Sequence, residues 1–152
     1  MANPSQFKEY HIKEYKTWDL FLYKEQHPYI GRCYAWAKRA DANAVTDMSI
    51  KERNELFDEV IPEWEHATLA LFELDKINLL MAGNTTQHLH AHLIPRYSNP
   101  RKVGGVLFED KNPNGNYAPY EKRDIGDGLR FKIKDAIKSA INDGPVNLEC
   151  EL

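Results

Sequence analysis

The stretch that decides the fold of this chain reads Asn84-Thr85-Thr86-Gln87-His88-Leu89-His90-Ala91-His92-Leu93-Ile94-Pro95-Arg96. Three of the six histidines of the chain lie in it, at alternating positions, with apolar residues between them. Because successive side chains of a β-strand point to opposite faces, the alternation predicts a strand with one histidine face and one apolar face. Alternate side chains are about 6–7 Å apart on a strand, so the imidazoles would form a row. Such a row can supply a nucleophile, a proton carrier and a hydrogen-bond donor to anions.

Two other interpretations of the histidines are open at this point. They could be surface residues that alternate by chance, or they could bind a metal, since a His-x-His pair on a strand suits zinc. A stable zinc site needs further ligands, and the chain otherwise has only His11, His27 and His66, which we interpret as structural residues. No Cys-x-x-Cys pair is present to complete such a site.

The segment His88–Ile94 has the pattern His-φ-His-φ-His-φ-φ, where φ is apolar, and every position fits. In this pattern the chain resembles the histidine triad (HIT) superfamily. The extension Pro95-Arg96-Tyr97 and the preceding Gly83-Asn84 look like the branch that contains the diadenosine tetraphosphate hydrolases. The resemblance runs from about Trp18 to Tyr120. It implies a HIT-like fold with the triad on a central strand, and pairing of two chains as a homodimer.

The resemblance also implies roles for individual residues. His90 would be the nucleophile that attacks the α-phosphorus and carries the nucleotidyl group, while His92 would hydrogen-bond the phosphate and His88 would hold the catalytic ring in place. Asn84 and Thr85 lie where family members often have Gln and Ser or Thr, which contact the phosphate and the leaving group. Thr85 fits that pattern, whereas Asn84 is one methylene shorter than Gln and could be a turn residue only. The transferase branch carries Gln at the third histidine position, so His92 indicates a hydrolase.

The sequence departs from the HIT pattern at Lys24. Seven residues before Gly31, the family usually has an Asn or Asp that holds the ribose hydroxyls. A lysine could reach a phosphate instead, or could be a solvated residue at a strand end. The nucleobase pocket would come from apolar side chains of the first two strands, which could equally be plain core residues: Phe21, Leu22 and Cys33. Arg96 could reach a polyphosphate tail or form a surface salt bridge, and Tyr117 and Tyr120 could cover the site.

Composition and charge narrow the class of protein. The chain has 152 residues, of which 42% are hydrophobic and 28% charged, and its formal net charge is −3. We therefore expect one domain with a sizeable core and no broad nucleic-acid-binding surface. No apolar run approaches the roughly 18 residues that span a bilayer, and no signal-peptide core is present, so we expect no membrane partner. Cys33 and Cys150 are expected to be free thiols in a reducing cytoplasm.

The order of elements predicts an α+β, HIT-like domain: a mostly antiparallel sheet of about five strands with one long helix and a C-terminal helix. We predict a single domain over residues 1–152, with its core at about 18–120 and a loose arm or short helix over 1–16. Strands are predicted at 18–23, 30–38, 76–82 and 88–95, with a further short strand near 106–108 inside an irregular segment, 97–127. The long helix begins at a capping box, Ser49 and Glu52, and is expected to kink or break at Pro62. The C-terminal helix is predicted at about 129–141.

We therefore expect a cytoplasmic hydrolase that cleaves nucleoside phosphate derivatives (dinucleoside polyphosphates or AMP phosphoramidates) at the α-phosphate through a nucleotidyl-His90 intermediate. A neutral imidazole, with an ordinary pKa of about 6.5, is a good nucleophile near neutral pH. No cofactor and no structural zinc are expected to be required, although Mg²⁺ could accompany a polyphosphate substrate. One alternative is a nucleotide-binding protein with little turnover that acts through protein partners, which Lys24 and Asn84 would favour. The other is a metal-binding strand without nucleotide chemistry.

Overall fold

The computed structural model of the protein describes residues 8–142 and residues 150 and 151. The strands of its main sheet are His11–Glu14 (β1), Trp18–Leu22 (β2), Cys33–Ala37 (β3), Lys76–Leu80 (β4) and His90–Arg96 (β5). They lie in the order β1-β2-β3-β5-β4, and every neighbouring pair is antiparallel. The predicted α+β class and the five-stranded antiparallel sheet are confirmed.

Strand β1 corrects the prediction for the N-terminal segment. We expected a loose arm or short helix, but His11–Glu14 pairs with β2 at the edge of the sheet, with an irregular register after His11. The core accordingly begins before Trp18, since Tyr10 and Ile12 are 4% and 1% exposed. The segment is short and mostly polar, so its single buried apolar position is too weak a pattern to predict a strand.

The long helical segment begins at Ser49, as the capping box predicts. Ser49 Oγ accepts a hydrogen bond from the Glu52 amide at 3.1 Å, and Glu52 Oε1 accepts one from the Ser49 amide at 2.8 Å. The segment consists of Ile50–Glu55 (α1), a π-helical turn at Leu56–Val60, and Ile61–Phe72 (α2). Pro62 lies in the first turn of α2. Proline has no N–H and its ring clashes with the preceding turn, so the irregularity predicted at Pro62 takes the form of a wider π turn.

Alternation along the strands separates the two faces of the sheet. One face joins the helices in the hydrophobic core, and its buried side chains include Leu20, Leu22, Cys33, Ala35, Ala91 and Leu93. Trp64 of α2 belongs to the same core and donates from Nε1 to the Gly31 carbonyl at 2.9 Å. Leu22 and Cys33 are 0% exposed. They are plain core residues, which was the alternative to lining a nucleobase pocket.

Strand β3 begins at Cys33, later than the predicted Ile30, because the side chain of Gln26 organises the turn before it. The Gln26 amide nitrogen donates to the Arg32 carbonyl at 2.8 Å, and its oxygen accepts from the Gly31 amide at 2.7 Å. Gly31 has φ +94°, a conformation that other residues rarely adopt. The turn therefore takes these residues out of the strand and fixes where β3 enters the sheet.

The irregular segment 97–127 contains more structure than the sequence predicted. Arg101–Val103 (β6) pairs with Val106–Phe108 (β7), which is the short strand that was predicted there. Cys150–Glu151 (β8) pairs with the other side of β6. Cys33 is a free, buried cysteine; the side chain of Cys150 lies outside the described residues.

Arg96, at the end of β5, holds the remainder of that segment. It is 3% exposed, and its guanidinium donates to the Asp110 carboxylate at 2.6 and 3.2 Å. Its other N–H groups donate to Asn78 Oδ1 at 2.9 Å and to the carbonyls of Gly115 and Asn112 at 2.8 and 2.6 Å. All of the donors of the side chain are thus used. The surface salt bridge expected for Arg96 is instead a buried ion pair, and Arg96 is not free to reach a polyphosphate.

The C-terminal helix, Asp127–Asn142 (α3), covers the predicted range and starts slightly earlier. Ile133 and Ile137 are fully buried in the core, and Arg130 ties the helix start to the Lys24 carbonyl through Nε at 3.1 Å. Within the described residues, no helix is both long enough and apolar enough to cross a bilayer.

Candidate active site

His90 and His92 lie on the face of β5 that is turned away from the core helices. Each sits opposite an aromatic residue of β3: His90 is paired with Trp36, and His92 with Tyr34. The two imidazole rings have centroids 5.1 Å apart and are nearly perpendicular. The predicted alternation of a histidine face and an apolar face therefore holds for these two residues, and it places them side by side.

The ring of His90 is oriented by the backbone of its own segment. His90 Nδ1 lies 2.6 Å from the His88 carbonyl oxygen, and because a carbonyl only accepts, Nδ1 carries the proton and donates. In the neutral ring, Nε2 then holds the free lone pair. Burial lowers the pKa of His90 below its ordinary value of 6.5, against the opposing effect of the hydrogen bond to His88. His90 is thus a neutral imidazole with a nucleophilic Nε2 near neutral pH.

His88 lies just before β5, which begins at His90 and not at the predicted His88. The neighbouring Leu89 bonds through its backbone to Ala42 and Ala37 instead. The His88 ring stacks on Trp36 with centroids 4.1 Å apart, and its Nε2 donates to the Ala37 carbonyl at 2.7 Å. His88 thus contacts His90 through its backbone carbonyl, while its ring packs against β3.

His92 lies next to Arg32, a buried residue for which the sequence analysis predicted no role. Arg32 Nη2 donates to His92 Nδ1 at 3.4 Å, and the Tyr23 ring meets the His92 ring edge-on at 5.4 Å. Burial, together with the positive charge of Arg32 and the neighbouring His90, lowers the pKa of His92 to about 3. His92 is therefore neutral at neutral pH.

The two histidines open onto a cavity of about 610 Å³ that brings most of the predicted site residues together. Lys24, Asn84 and Thr85, which are exposed, line it with His90 and His92. The turn that carries Asn84 and Thr85 depends on Gly83, whose φ is +68°. Lys122, from the late irregular segment, also lines the cavity and was not predicted.

His88 does not line this cavity. It lines an adjoining cavity of about 250 Å³, together with residues of the Gly83 turn and of the turn before a short 3₁₀-helix, Val45–Asp47. His90, Ala82 and Gly83 border both cavities. The His90 ring therefore lies between two cavities, and the larger of them is lined by Lys24 and Lys122.

The remaining candidates lie around the site or away from it. Phe21 is on the histidine face, but it is 5% exposed and stacks on Tyr34 with centroids 5.1 Å apart, so it offers little surface to a ligand. Tyr117 and Tyr120 do not line the cavity; their rings lie 5.5 and 5.8 Å from the Arg32 guanidinium. They cover Arg32 instead of the predicted site.

The other three histidines lie outside the candidate site. His11 bonds to Asp19 at 2.9 Å, and buried His27 donates from Nδ1 to the Glu121 carbonyl at 2.9 Å. His66 is exposed on α2. Among the described residues, no three His, Cys, Asp or Glu side chains converge in a way that could hold a metal ion. The geometry thus gives no support to the interpretation of the triad as a metal site.

Sequence reasoning missed Arg32 and Trp36, in addition to Lys122. Arg32 carried one signal: it is a charged residue in the otherwise apolar and aromatic run from Ile30 to Ala37. A charge that enters a buried strand needs a reason, since burial without a partner is unfavourable. Trp36 alternates with Tyr34, so the two share a face, but only the pairing of β3 with β5 shows that this is the histidine face.

No protein family model and no curated protein sequence matches the chain. Solved structures do. A histidine triad protein from Bradyrhizobium japonicum superposes with a TM-score of 0.68 at 20% identity, covering 92% of this chain and 97% of that one. A hypothetical histidine triad nucleotide-binding protein from Sulfolobus tokodaii gives 0.62 at 17% identity, covering 88% and 84%. A HIT family protein from Bacillus anthracis is 28% identical over 59% of this chain and 64% of that one, with a TM-score of 0.51. The chain thus has the fold of the histidine triad proteins.

Proposed function

We propose that this protein is a hydrolase of nucleoside phosphate derivatives that attacks the α-phosphorus with His90. The observation that carries the proposal is the 2.6 Å hydrogen bond from His90 Nδ1 to the His88 carbonyl. It fixes the ring and leaves the lone pair on Nε2, as a nucleophile requires. The burial that lowers the pKa of His90 keeps this lone pair available near neutral pH.

The shape and charge of the cavity support a phosphate-bearing substrate. A volume of about 610 Å³ is within the range of small-molecule sites. Lys24 and Lys122 supply positive charge at its wall, which also carries the Glu25 carboxylate, 3.5 Å from Lys122 Nζ. The Gly83 turn presents the short polar side chains of Asn84 and Thr85. In the proposal, these groups and His92 contact the non-bridging oxygens, where charge grows as the phosphorus is attacked.

The proposed reaction has two steps. In the first, His90 Nε2 forms a bond to the α-phosphorus while the bond from phosphorus to the leaving group breaks. The leaving group departs with its electron pair; a nucleotide departs as an anion, and an amine takes up a proton from solvent. In the second, water attacks the phosphorus of nucleotidyl-His90, the N–P bond breaks, and the nucleoside monophosphate and free His90 are released. Leaving groups of both kinds fit this scheme: a nucleotide, as in a dinucleoside polyphosphate with its Mg²⁺, and the amine of an AMP phosphoramidate.

We also propose that the protein works as a homodimer in the cytoplasm. Within the described residues β4 pairs with β5 alone, so its other edge is open for pairing with a second chain. Light scattering on the purified full chain tests the dimer: a mass of one chain at micromolar concentration contradicts it.

The experiment that tests the proposed chemistry is intact-mass analysis of protein quenched early in denaturant at alkaline pH, where a phosphoramidate survives. The protein is mixed with diadenosine tetraphosphate and, separately, with an AMP-lysine phosphoramidate. We expect a mass increase of one adenylyl group, absent in His90→Ala, and the faster substrate identifies the preferred leaving group. Binding of both compounds without adduct or product would instead identify a nucleotide-binding protein that acts through partners.

A further inference from the structure

Among the residues that the structure describes, the buried cation Arg32 has no carboxylate partner. It is 3% exposed, and in the part of the chain that the structure describes no acidic group lies within ion-pairing distance of it. Its Nη1 donates to Tyr120 Oη at 3.2 Å and its Nη2 to His92 Nδ1 at 3.4 Å, while Nε has no hydrogen-bond partner among those residues. Burying an unpaired charge is energetically unfavourable, so the position of Arg32 beside His92 indicates a functional role.

Three tyrosine rings surround the guanidinium. Its central carbon lies 4.1 Å from the centroid of the Tyr23 ring, 5.5 Å from that of Tyr117 and 5.8 Å from that of Tyr120. The negative faces of aromatic rings offset part of the loss of hydration of a buried cation without neutralising its charge. Tyr23 also meets the ring of His92, so one side chain holds both partners in place. The three rings thus hold the guanidinium of Arg32 against His92.

We infer that Arg32 is a positioning residue that holds His92 as the neutral tautomer with its proton on Nε2, the N–H that the proposed function places against a non-bridging oxygen of the substrate phosphate. Only the contact with the phosphate rests on the proposed function; the tautomer of His92 does not depend on it. Arg32 itself is too deeply buried to bind the substrate. It acts through His92.

The chemistry of the contact fixes the tautomer. An arginine side chain only donates and does not lose its proton, so His92 Nδ1 must accept and the proton of the neutral ring is on Nε2. The adjacent positive charge also opposes a second proton, in agreement with the lowered pKa of His92. A neutral N–H binds a phosphate oxygen but supplies no proton to the leaving group. In this arrangement the leaving-group proton comes from elsewhere.

The test observes the imidazole nitrogens of ligand-free, ¹⁵N-labelled full-length protein by long-range ¹H–¹⁵N NMR, with the His92 signals assigned by their loss in His92→Gln. In the wild type we expect a protonated Nε2 and an unprotonated Nδ1 at neutral pH. In Arg32→Met, which replaces the cation by an apolar side chain of similar length, we expect His92 to bind a proton at least about tenfold more tightly, a rise of about one pKa unit. A wild-type ring protonated on Nδ1, or an unchanged His92 titration in Arg32→Met, overturns the inference.

Two further variants separate charge from packing. Tyr120→Phe removes the hydroxyl that accepts from Arg32 Nη1 but leaves the contact with His92, so we expect the wild-type titration. Arg32→Lys keeps the charge, so we expect His92 to stay as hard to protonate as in the wild type; protonation as easy as in Arg32→Met overturns the inference. The wild-type tautomer decides the matter even if neither Arg32 variant folds. All of these measurements are made without substrate, so they are independent of whether turnover exists.

Discussion

The two ends of strand β5 carry buried polar side chains of opposite kinds. At its start, His90 and His92 each have one ring nitrogen hydrogen-bonded, to the His88 carbonyl and to Arg32, which leaves the other nitrogen for the cavity that both rings line. At its end, Arg96 has every N–H group bonded. Burial does not distinguish the two ends, because His90 and Arg96 are 7% and 3% exposed. The two ends differ in unused hydrogen-bonding groups, since only the histidines keep a ring nitrogen for the cavity. Chemistry is therefore expected at the start of β5.

The largest expected effect is at the reactive end. His90→Ala removes the proposed nucleophile, so we expect turnover of diadenosine tetraphosphate and of an AMP phosphoramidate to fall by about 10³-fold or more. The free energy of unfolding should fall by about 1–3 kcal/mol, since one hydrogen bond to a backbone carbonyl and the ring contacts with Trp36 and His92 are lost. Steady-state kinetics and urea denaturation of the same preparation measure both quantities.

The matched control for this variant is His66→Ala, because His66 is an exposed histidine on α2. It should retain wild-type turnover and stability. Turnover in His90→Ala close to that of the control would move the nucleophile to another residue.

The second effect is at the structural end and has the reverse signature. Arg96→Met leaves the buried carboxylate of Asp110 without its partner, so we expect the free energy of unfolding to fall by about 3–5 kcal/mol. At temperatures where the variant is folded, turnover should change far less than in His90→Ala. The double variant Arg96→Met/Asp110→Asn removes the stranded charge and should recover part of the loss. A loss below about 1 kcal/mol in urea denaturation would show that Arg96 does not hold the late segment in place.

The third effect concerns the acid side of the pH profile. Protonation of His90 removes its lone pair, so activity is lost as the pH falls through the pKa of this residue, and burial has lowered that pKa below 6.5. We therefore expect the acid limb of kcat/KM for diadenosine tetraphosphate, whose internal phosphates stay ionised in this range, to have its midpoint below pH 6.5. The acid limb of kcat/KM reports the free enzyme, which is the state described by the structure. A midpoint at or above pH 6.5 would contradict the burial of the nucleophile.

The lowered pKa of His92 makes the stability of the folded protein depend on pH. Its pKa is about 3 in the folded protein and close to its ordinary 6.5 in the unfolded chain, so the unfolded chain binds more protons between these values. Stability from this residue is complete above pH 6.5 and is lost as the pH falls toward 3. Comparison of urea midpoints for wild type and His92→Gln across this window measures the contribution, which the glutamine variant should lack.

The sequence predicted those features that depend on neighbouring residues. The alternation of histidines fixed which side chains of β5 share a face, and the capping box at Ser49 fixed the start of α1. Both are local patterns, in which the residues concerned are within a few positions of one another. The side chain of Arg32, in contrast, meets His92 and Tyr120, which are 60 and 88 residues away along the chain. No periodicity encodes such contacts, so the cation beside the site became visible only in the fold.

Strand β1 and the burial of Arg96 were missed for related reasons. A four-residue, mostly polar segment becomes a strand because an edge of the sheet is available to it, which is a tertiary effect. Arg96 follows the histidine stretch directly, and its position suggested a role at the site. Its partner Asp110 lies in a segment rich in Gly, Pro and Asn whose path the sequence does not define. A residue close in sequence to a site can therefore have a structural role instead of a functional one.

The smallest expected effect is at Lys24, which belongs to neither end of β5. Its side chain is exposed at the wall of the cavity, where its charge is screened by water and salt. If it contacts a phosphate, Lys24→Ala should raise KM for diadenosine tetraphosphate by about two- to fivefold, with a smaller rise for an AMP amide, which carries fewer phosphates, and kcat should stay unchanged for both. The difference between substrates should shrink as salt is added. Lys51→Ala, an exposed lysine on α1, is the control and should raise neither KM. Equal rises for both substrates in Lys24→Ala would place the lysine at the shared nucleoside or α-phosphate, and no rise would make it a solvated residue at the strand end.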